Sequence, residues 1–180
     1  MMKEKIAILT ELGFEEVELT SPKQKLEEQG YDVHIISPNE ESSIKSWDKT
    51  DWGKDFNVDV HVTEANASDY RAIILPGGVL NPDKLRVSEE SIIFLNKFVD
   101  DGKLIAAICH GPLILTENGY VGGKRLTSVK NIKTDLVHAG AEWEDSEVVV
   151  DGNLITSRTP EDLDAFNGAI IDYLKDTEEQ

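Results

Sequence analysis

The stretch Leu104-Ile105-Ala106-Ala107-Ile108-Cys109-His110-Gly111-Pro112 decides how this chain is read. Five apolar residues in a row describe a strand buried on both faces, as strands of parallel sheets are. The run stops at the only cysteine of the protein. Gly111 and Pro112 then punctuate the chain, and Leu113-Ile114-Leu115-Thr116 opens a helical pattern running to about Asn118, before Gly119. Strand, sharp turn and helix place Cys109 at an elbow, its sulfur projecting at the carboxyl end of a sheet, where open α/β folds take their ligands.

The rest of the chain supplies such a sheet. Ile6-Ala7-Ile8-Leu9, Val33-His34-Ile35-Ile36, Val58 to Val62 and Arg71-Ala72-Ile73-Ile74-Leu75 read as further strands. Helical patterns cover Glu15 to Gln29, closed by Gly30, and Ser88 to Asp101, closed by Gly102. Pro22 inside the first should kink it or mark where its regular part begins. A short strand at Arg125-Leu126-Thr127 and a helix over Asn131 to Ala139 follow. Asp151-Gly152 between two β-rich runs signals a hairpin. Thr159-Pro160-Glu161-Asp162 reads as the cap of a last helix reaching Lys175, with a fraying acidic tail. Residues 38–57, with Trp47 and Trp52, have the composition of an irregular loop. Alternating strands and helices predict an α/β, doubly wound, mostly parallel sheet in one domain over residues 1–180.

Composition narrows the function. With 18 basic against 35 acidic residues the net charge is −17, which argues against a nucleic-acid surface and against anionic membrane. One cysteine makes no internal disulfide, and no apolar run has signal-peptide or membrane-spanning character, so the expected compartment is the cytoplasm. His34, His61, His110 and His138 lack metal-ligand spacing, a phosphate loop and a dinucleotide fingerprint are absent, and neither a metal nor a cofactor is expected.

Three features remain for chemistry. Cys109 is either a buried small hydrophobe, the usual fate of a free cysteine, or a thiolate stabilised by the amides of the following helix, with His110 as a proton acceptor. Pro76-Gly77-Gly78 ends a buried strand. It is either a plain tight turn or a source of amides for an oxyanion beside Cys109. Glu15 follows the first strand and is either one more solvated acid beside Glu16 and Glu18, or a member of the same crevice. A carboxyl group next to Cys109 would retain its proton and donate to the thiolate, since two charges cannot cheaply coexist there.

Several of these pieces together resemble the ThiJ/PfpI superfamily, in its PfpI-type branch: Gly13-Phe14-Glu15-Glu16-Val17-Glu18, Ile74-Leu75-Pro76-Gly77-Gly78, Asn81-Pro82-Asp83-Lys84-Leu85-Arg86, Ala107-Ile108-Cys109-His110-Gly111-Pro112, Ala139-Gly140-Ala141-Glu142-Trp143 and Thr156 to Leu163. The resemblance implies a flavodoxin-like, class I glutamine amidotransferase-like three-layer sandwich. It implies Cys109 as nucleophile, Glu15 as its protonated carboxyl partner, and Gly78 and His110 as oxyanion-hole amides. In PfpI-type members an acid from a neighbouring subunit orients the histidine; Asp83 falls at that place, an Asp where some relatives carry the longer Glu. A homo-oligomer, a dimer or a trimer of dimers, is therefore expected.

The activities implied are removal of reactive carbonyls or of sugar-derived adducts on proteins (glyoxalase or deglycase chemistry), intracellular cysteine peptidase action with a Cys-His-Asp triad closed across a subunit interface, and redox sensing through oxidation of Cys109 in a stress protein. A small aldehyde needs only a tight pocket, whereas peptide hydrolysis needs a groove that the sequence does not reveal, which favours the first.

Overall fold

A computed structural model describes residues 2–178. Its centre is a seven-stranded sheet built from β1 (Lys5–Leu9), β2 (Asp32–Ser37), β5 (Val60–His61), β6 (Tyr70–Leu75), β7 (Leu104–Ile108), β10 (Val149–Asp151) and β11 (Leu154–Ser157), in the order β10-β11-β7-β6-β1-β2-β5. Every neighbouring pair is parallel except β10 with β11. Because side chains alternate across a strand, each apolar run feeds two cores. Ala7, Leu9, Ile73, Leu75, Ile105 and Ala107 face helix α3 (Glu89–Asp100) through Phe94, Leu95 and Phe98. Ile6, Ile8, Ile74, Ala106 and Ile108 face α1 (Glu16–Glu28) and α5 (Leu163–Glu178) through Leu19, Leu26, Phe166, Ile170 and Leu174. Each Leu, Ile or Phe side chain among them contributes about 1.5–3 kcal/mol when fully buried. The result is the expected three-layer α/β sandwich.

The chain leaves β1 for β2 on one side and returns to β6 on the other, so the sheet's switch point lies between β1 and β6. The turns after β1, β6 and β7 converge there, which is where open α/β sheets form their crevice.

Several boundaries differ from the sequence reading. Residues 38–57 are not a loop: β3 (Ser43–Asp48) and β4 (Asp51–Asn57) form an antiparallel hairpin with Lys49 at its tip in the left-handed region, φ 59°. Its strands lack apolar alternation because hydrogen bonds hold it in place. Trp47 N donates to Phe14 O at 2.7 Å, Gly13 N to Lys45 O at 2.8 Å, and Ser46 Oγ and Lys54 N both to Glu16 Oε2. The segment after Cys109 is a 3-10 helix, Gly111–Thr116, rather than an α-helix. Around Gly152 the two-residue turn is Gly152-Asn153, one step beyond the expected pair. Between Asn131 and Ala139 only α4 (Lys133–His138) is α-helical, and β8 (Arg125–Leu126) pairs with β9 (Glu142–Trp143).

Helix α1 runs through Pro22, which is buried and offers no amide to Glu18 O. Thr159 makes no side-chain cap; Asp162 instead reaches back to Arg158, accepting from its backbone N at 3.0 Å and its Nε at 2.9 Å. Helix α5 continues past the expected end at Lys175 to Glu178, and the last two residues of the acidic tail lie outside the described residues. Glu178 Oε1 accepts from Tyr31 Oη at 2.7 Å and Arg71 Nη1 at 2.9 Å, while Arg71 Nη2 donates to Leu174 O at 2.7 Å.

Candidate active site

Cys109 leaves β7 with φ 61°, a left-handed conformation that costs an L-residue roughly 1–2 kcal/mol. Bonds on both sides hold it: Cys109 N donates to Ser157 O and Val129 N to Cys109 O, each at 3.1 Å. Gly111 makes the turn possible, since a Cβ there would lie 2.4 Å from Leu75 O. The elbow drawn from the sequence is present. Its electrostatics differ from the expectation, because the amides facing the sulfur are those of His110 and Gly78, and both favour the thiolate. His110 Nδ1 lies 3.4 Å from Sγ, and burial lowers the pKa of the imidazole, favouring its neutral form. Gly78 and His110 are thus both brought to the thiol.

The carboxyl partner is corrected. Glu18, not Glu15, meets the thiol. Glu15 is the N-cap residue of α1 in an extended conformation, and its Oε1 accepts from Lys49 N at 3.0 Å, at the tip of the hairpin. It borders the same cavity, where burial raises its pKa. One helical turn later Glu18 falls on the inward face with Leu19, Pro22 and Leu26 and is fully buried. Glu18 Oε1 accepts from Gly77 N at 3.0 Å, and Oε2 is buried without a hydrogen-bond partner. The readable signal was an acid on the apolar stripe of an amphipathic helix, where burial of a charge demands a reason.

Burial lifts Glu18 to about 8. Burial, and then the charge of Glu18, pushes the Cys109 thiol well up. Both shifts run toward the neutral form, so the crevice resists charge on either acid and resists two charges most, and the pair titrates as a unit. Gly77 lets them approach, for a Cβ on it would sit 2.6 Å from Glu18 Oε1 and 2.8 Å from Cys109 Cβ.

Above the pair is a cavity of about 370 Å³, bordered by Trp47 and Lys49 of the hairpin, Val79 and Leu80, and Pro160. That is the low end for a small-molecule site. Asp83 lies on the exposed face of α2 (Leu80–Leu85), and among the described residues no carboxylate of the same chain bonds to His110. No cluster of three or more metal-ligating acids, histidines or cysteines occurs among the described residues. Nor is any of their helices long and apolar enough to cross a membrane.

An elbow cysteine beside a buried glutamate, on a flavodoxin-like sheet, defines a class, and the comparisons with known proteins name it. The chain belongs to the DJ-1/PfpI family, whose model matches residues 4–173. It is 39% identical over 174 residues to the protein named "Putative cysteine protease YraA" of Bacillus subtilis (strain 168), covering 97% of this chain and 100% of that one. It is also 39% identical over 171 residues to Deglycase PH1704 of Pyrococcus horikoshii, covering 95% and 99%. Among solved structures, Drosophila melanogaster DJ-1beta superposes with a TM-score of 0.86 at 31% identity, over 96% of this chain and 91% of that one.

Proposed function

We propose that this protein is a cysteine-dependent enzyme of the glyoxalase or deglycase type, acting on small reactive carbonyls. The observation that carries this reading is the buried Glu18–Cys109 pair at the floor of a small cavity, with two amides directed at the sulfur. With the proton on Glu18 and the charge on sulfur, the thiolate attacks an aldehyde carbon. The oxygen takes up the negative charge within reach of the Gly78 and His110 amides, and Glu18 delivers its proton there.

For a 2-oxoaldehyde, the Glu18 carboxylate then removes the proton from the carbon bonded to sulfur and returns it to the neighbouring carbon, while the hydroxyl proton on the first carbon passes to the oxygen of the second. This gives an enzyme thioester of a 2-hydroxy acid, and water cleaves it, regenerating the thiol. The sum is aldehyde plus water to hydroxy acid, with no external oxidant. The names of two relatives, deglycases of Pyrococcus, agree with carbonyl-directed chemistry. The test compares the purified protein with Cys109→Ser for methylglyoxal consumption and lactate formation; equal rates would overturn the proposal.

A second reading rests on the 3.4 Å approach of His110 Nδ1 to Sγ. In it, His110 is the base of a peptidase, oriented by Asp83 of a neighbouring copy in a homo-oligomer. Peptide cleavage by the intact oligomer that vanishes in both Cys109→Ser and Asp83→Ala supports it, and cleavage independent of Cys109 removes it.

A further inference from the structure

The Pro76-Gly77-Gly78 turn presents two amides to the site, and one side chain, that of Asn81, bonds the carbonyls behind both, Gly77 O also accepting from Glu15 N at 3.3 Å. Asn81, in the first turn of α2, is fully buried. Its Oδ1 accepts from Glu11 N at 2.7 Å, which fixes the orientation of the amide group. Its Nδ2 donates to Pro76 O at 3.0 Å and to Gly77 O at 3.1 Å. No peptide bond among the described residues is cis, and in a trans peptide the C=O and the following N–H point in opposite directions. Holding Pro76 O toward Asn81 therefore turns Gly77 N–H toward Glu18 Oε1, which it meets at 3.0 Å. Holding Gly77 O the same way turns Gly78 N–H toward the Cys109 sulfur.

Glycine lacks a Cβ to restrict its backbone, and Gly78 has φ +79°. Without Asn81, the Pro76 carbonyl loses the side-chain donor behind it and the Gly77 carbonyl keeps only the longer bond from Glu15 N. We infer that Asn81 is a positioning residue that sets both amides of the site, one on the carboxyl group and one on the thiol, by gripping the two carbonyls behind them. It touches neither reacting group. The inference builds on the catalytic reading of the Glu18–Cys109 pair given above, but its test does not use turnover.

The experiment is the pH dependence of Cys109 alkylation by iodoacetamide, in the full-length protein and in Asn81→Ala and Asn81→Ser, with thermal unfolding followed separately. The Gly78 amide favours the thiolate it faces, so losing its alignment raises the alkylation midpoint; the Gly77 amide faces Glu18 and bears on the midpoint only through the charge of that carboxyl group. A hydrogen bond to a charged group is worth enough to shift it by roughly one to two pH units. A folded variant whose midpoint equals that of the unsubstituted protein, even with a lower melting temperature, would overturn the inference, because a merely structural role moves only the melt.

Should neither variant fold, the unsubstituted protein still decides. Through-hydrogen-bond NMR couplings from Asn81 Nδ2 to the carbonyl carbons of Pro76 and Gly77 are expected, and their absence would overturn it. If methylglyoxal turnover is absent in the unsubstituted protein, the proposed function falls while the alkylation midpoint continues to report on Asn81.

Discussion

Lys49 N, at the tip of the β3–β4 hairpin, donates to Glu15 Oε1 at 3.0 Å, while three residues along the same helix Glu18 Oε1 takes the Gly77 amide at 3.0 Å. Two acids of one short run thus serve different masters, one holding the cover of the cavity and the other its floor. The division follows from helical geometry, and it separates what each substitution should do.

Replacing Glu18 with Gln preserves shape and a donor group but removes the ability to pass a proton. Turnover of methylglyoxal should fall by about 10²-fold or more, while Cys109 remains alkylated by iodoacetamide. Steady-state rates and alkylation followed by mass spectrometry on the same sample check both halves.

The raised pKa of Glu18 also makes a stability prediction. Between its ordinary 4.5 and about 8, the native protein holds a proton that the unfolded chain has released. Unfolding free energy therefore falls as pH rises through this window, by up to several kcal/mol for a shift of this size, and the loss is absent below it. Urea unfolding at pH 5, 7 and 9 should show a steeper decline for the unsubstituted protein than for Glu18→Gln.

Gly77→Ala should be more damaging than an alanine in an ordinary turn. The new Cβ would lie 2.6 Å from Glu18 Oε1, 2.8 Å from Cys109 Cβ and 2.9 Å from His110 N. Overpacking of this kind costs roughly 1–3 kcal/mol, and it separates the two acids as well. Thermal melts should show the first effect, and loss of turnover in protein that is still folded the second.

Glu15→Ala should loosen the hairpin tip without touching the thiol. Amide hydrogen exchange should accelerate at Lys49 and its neighbours, and KM for small aldehydes should change more than kcat. If kcat falls as severely as in Glu18→Gln, Glu15 takes part in the proton transfer after all.

The sheet was legible because its central strands are continuous apolar runs, and Cys109 was legible because such a run stops on it. The hairpin was not, since Ser43-Ile44-Lys45-Ser46-Trp47-Asp48 has one aliphatic residue, and its order comes from bonds to Glu16 and Phe14. The Glu15–Glu18 distinction was lost for a related reason. Both acids lie near the carboxyl end of β1, and choosing between them requires knowing which face of α1 turns inward. Asn81 was read only as part of the segment opening α2, because its bonds go to two backbone carbonyls that no side-chain pattern encodes.

The clasp of Glu178 on Tyr31 and Arg71 has a practical consequence. Tyr31 and Arg71 lie at the amino-terminal edge of the sheet, whereas Cys109 and Gly77 lie beyond its carboxyl edge. Strands of five or six residues put about 17–20 Å between those edges. An affinity tag or surface linker joined after α5 therefore leaves from the rear of the molecule, and protein immobilised this way presents its cavity to the bulk solution.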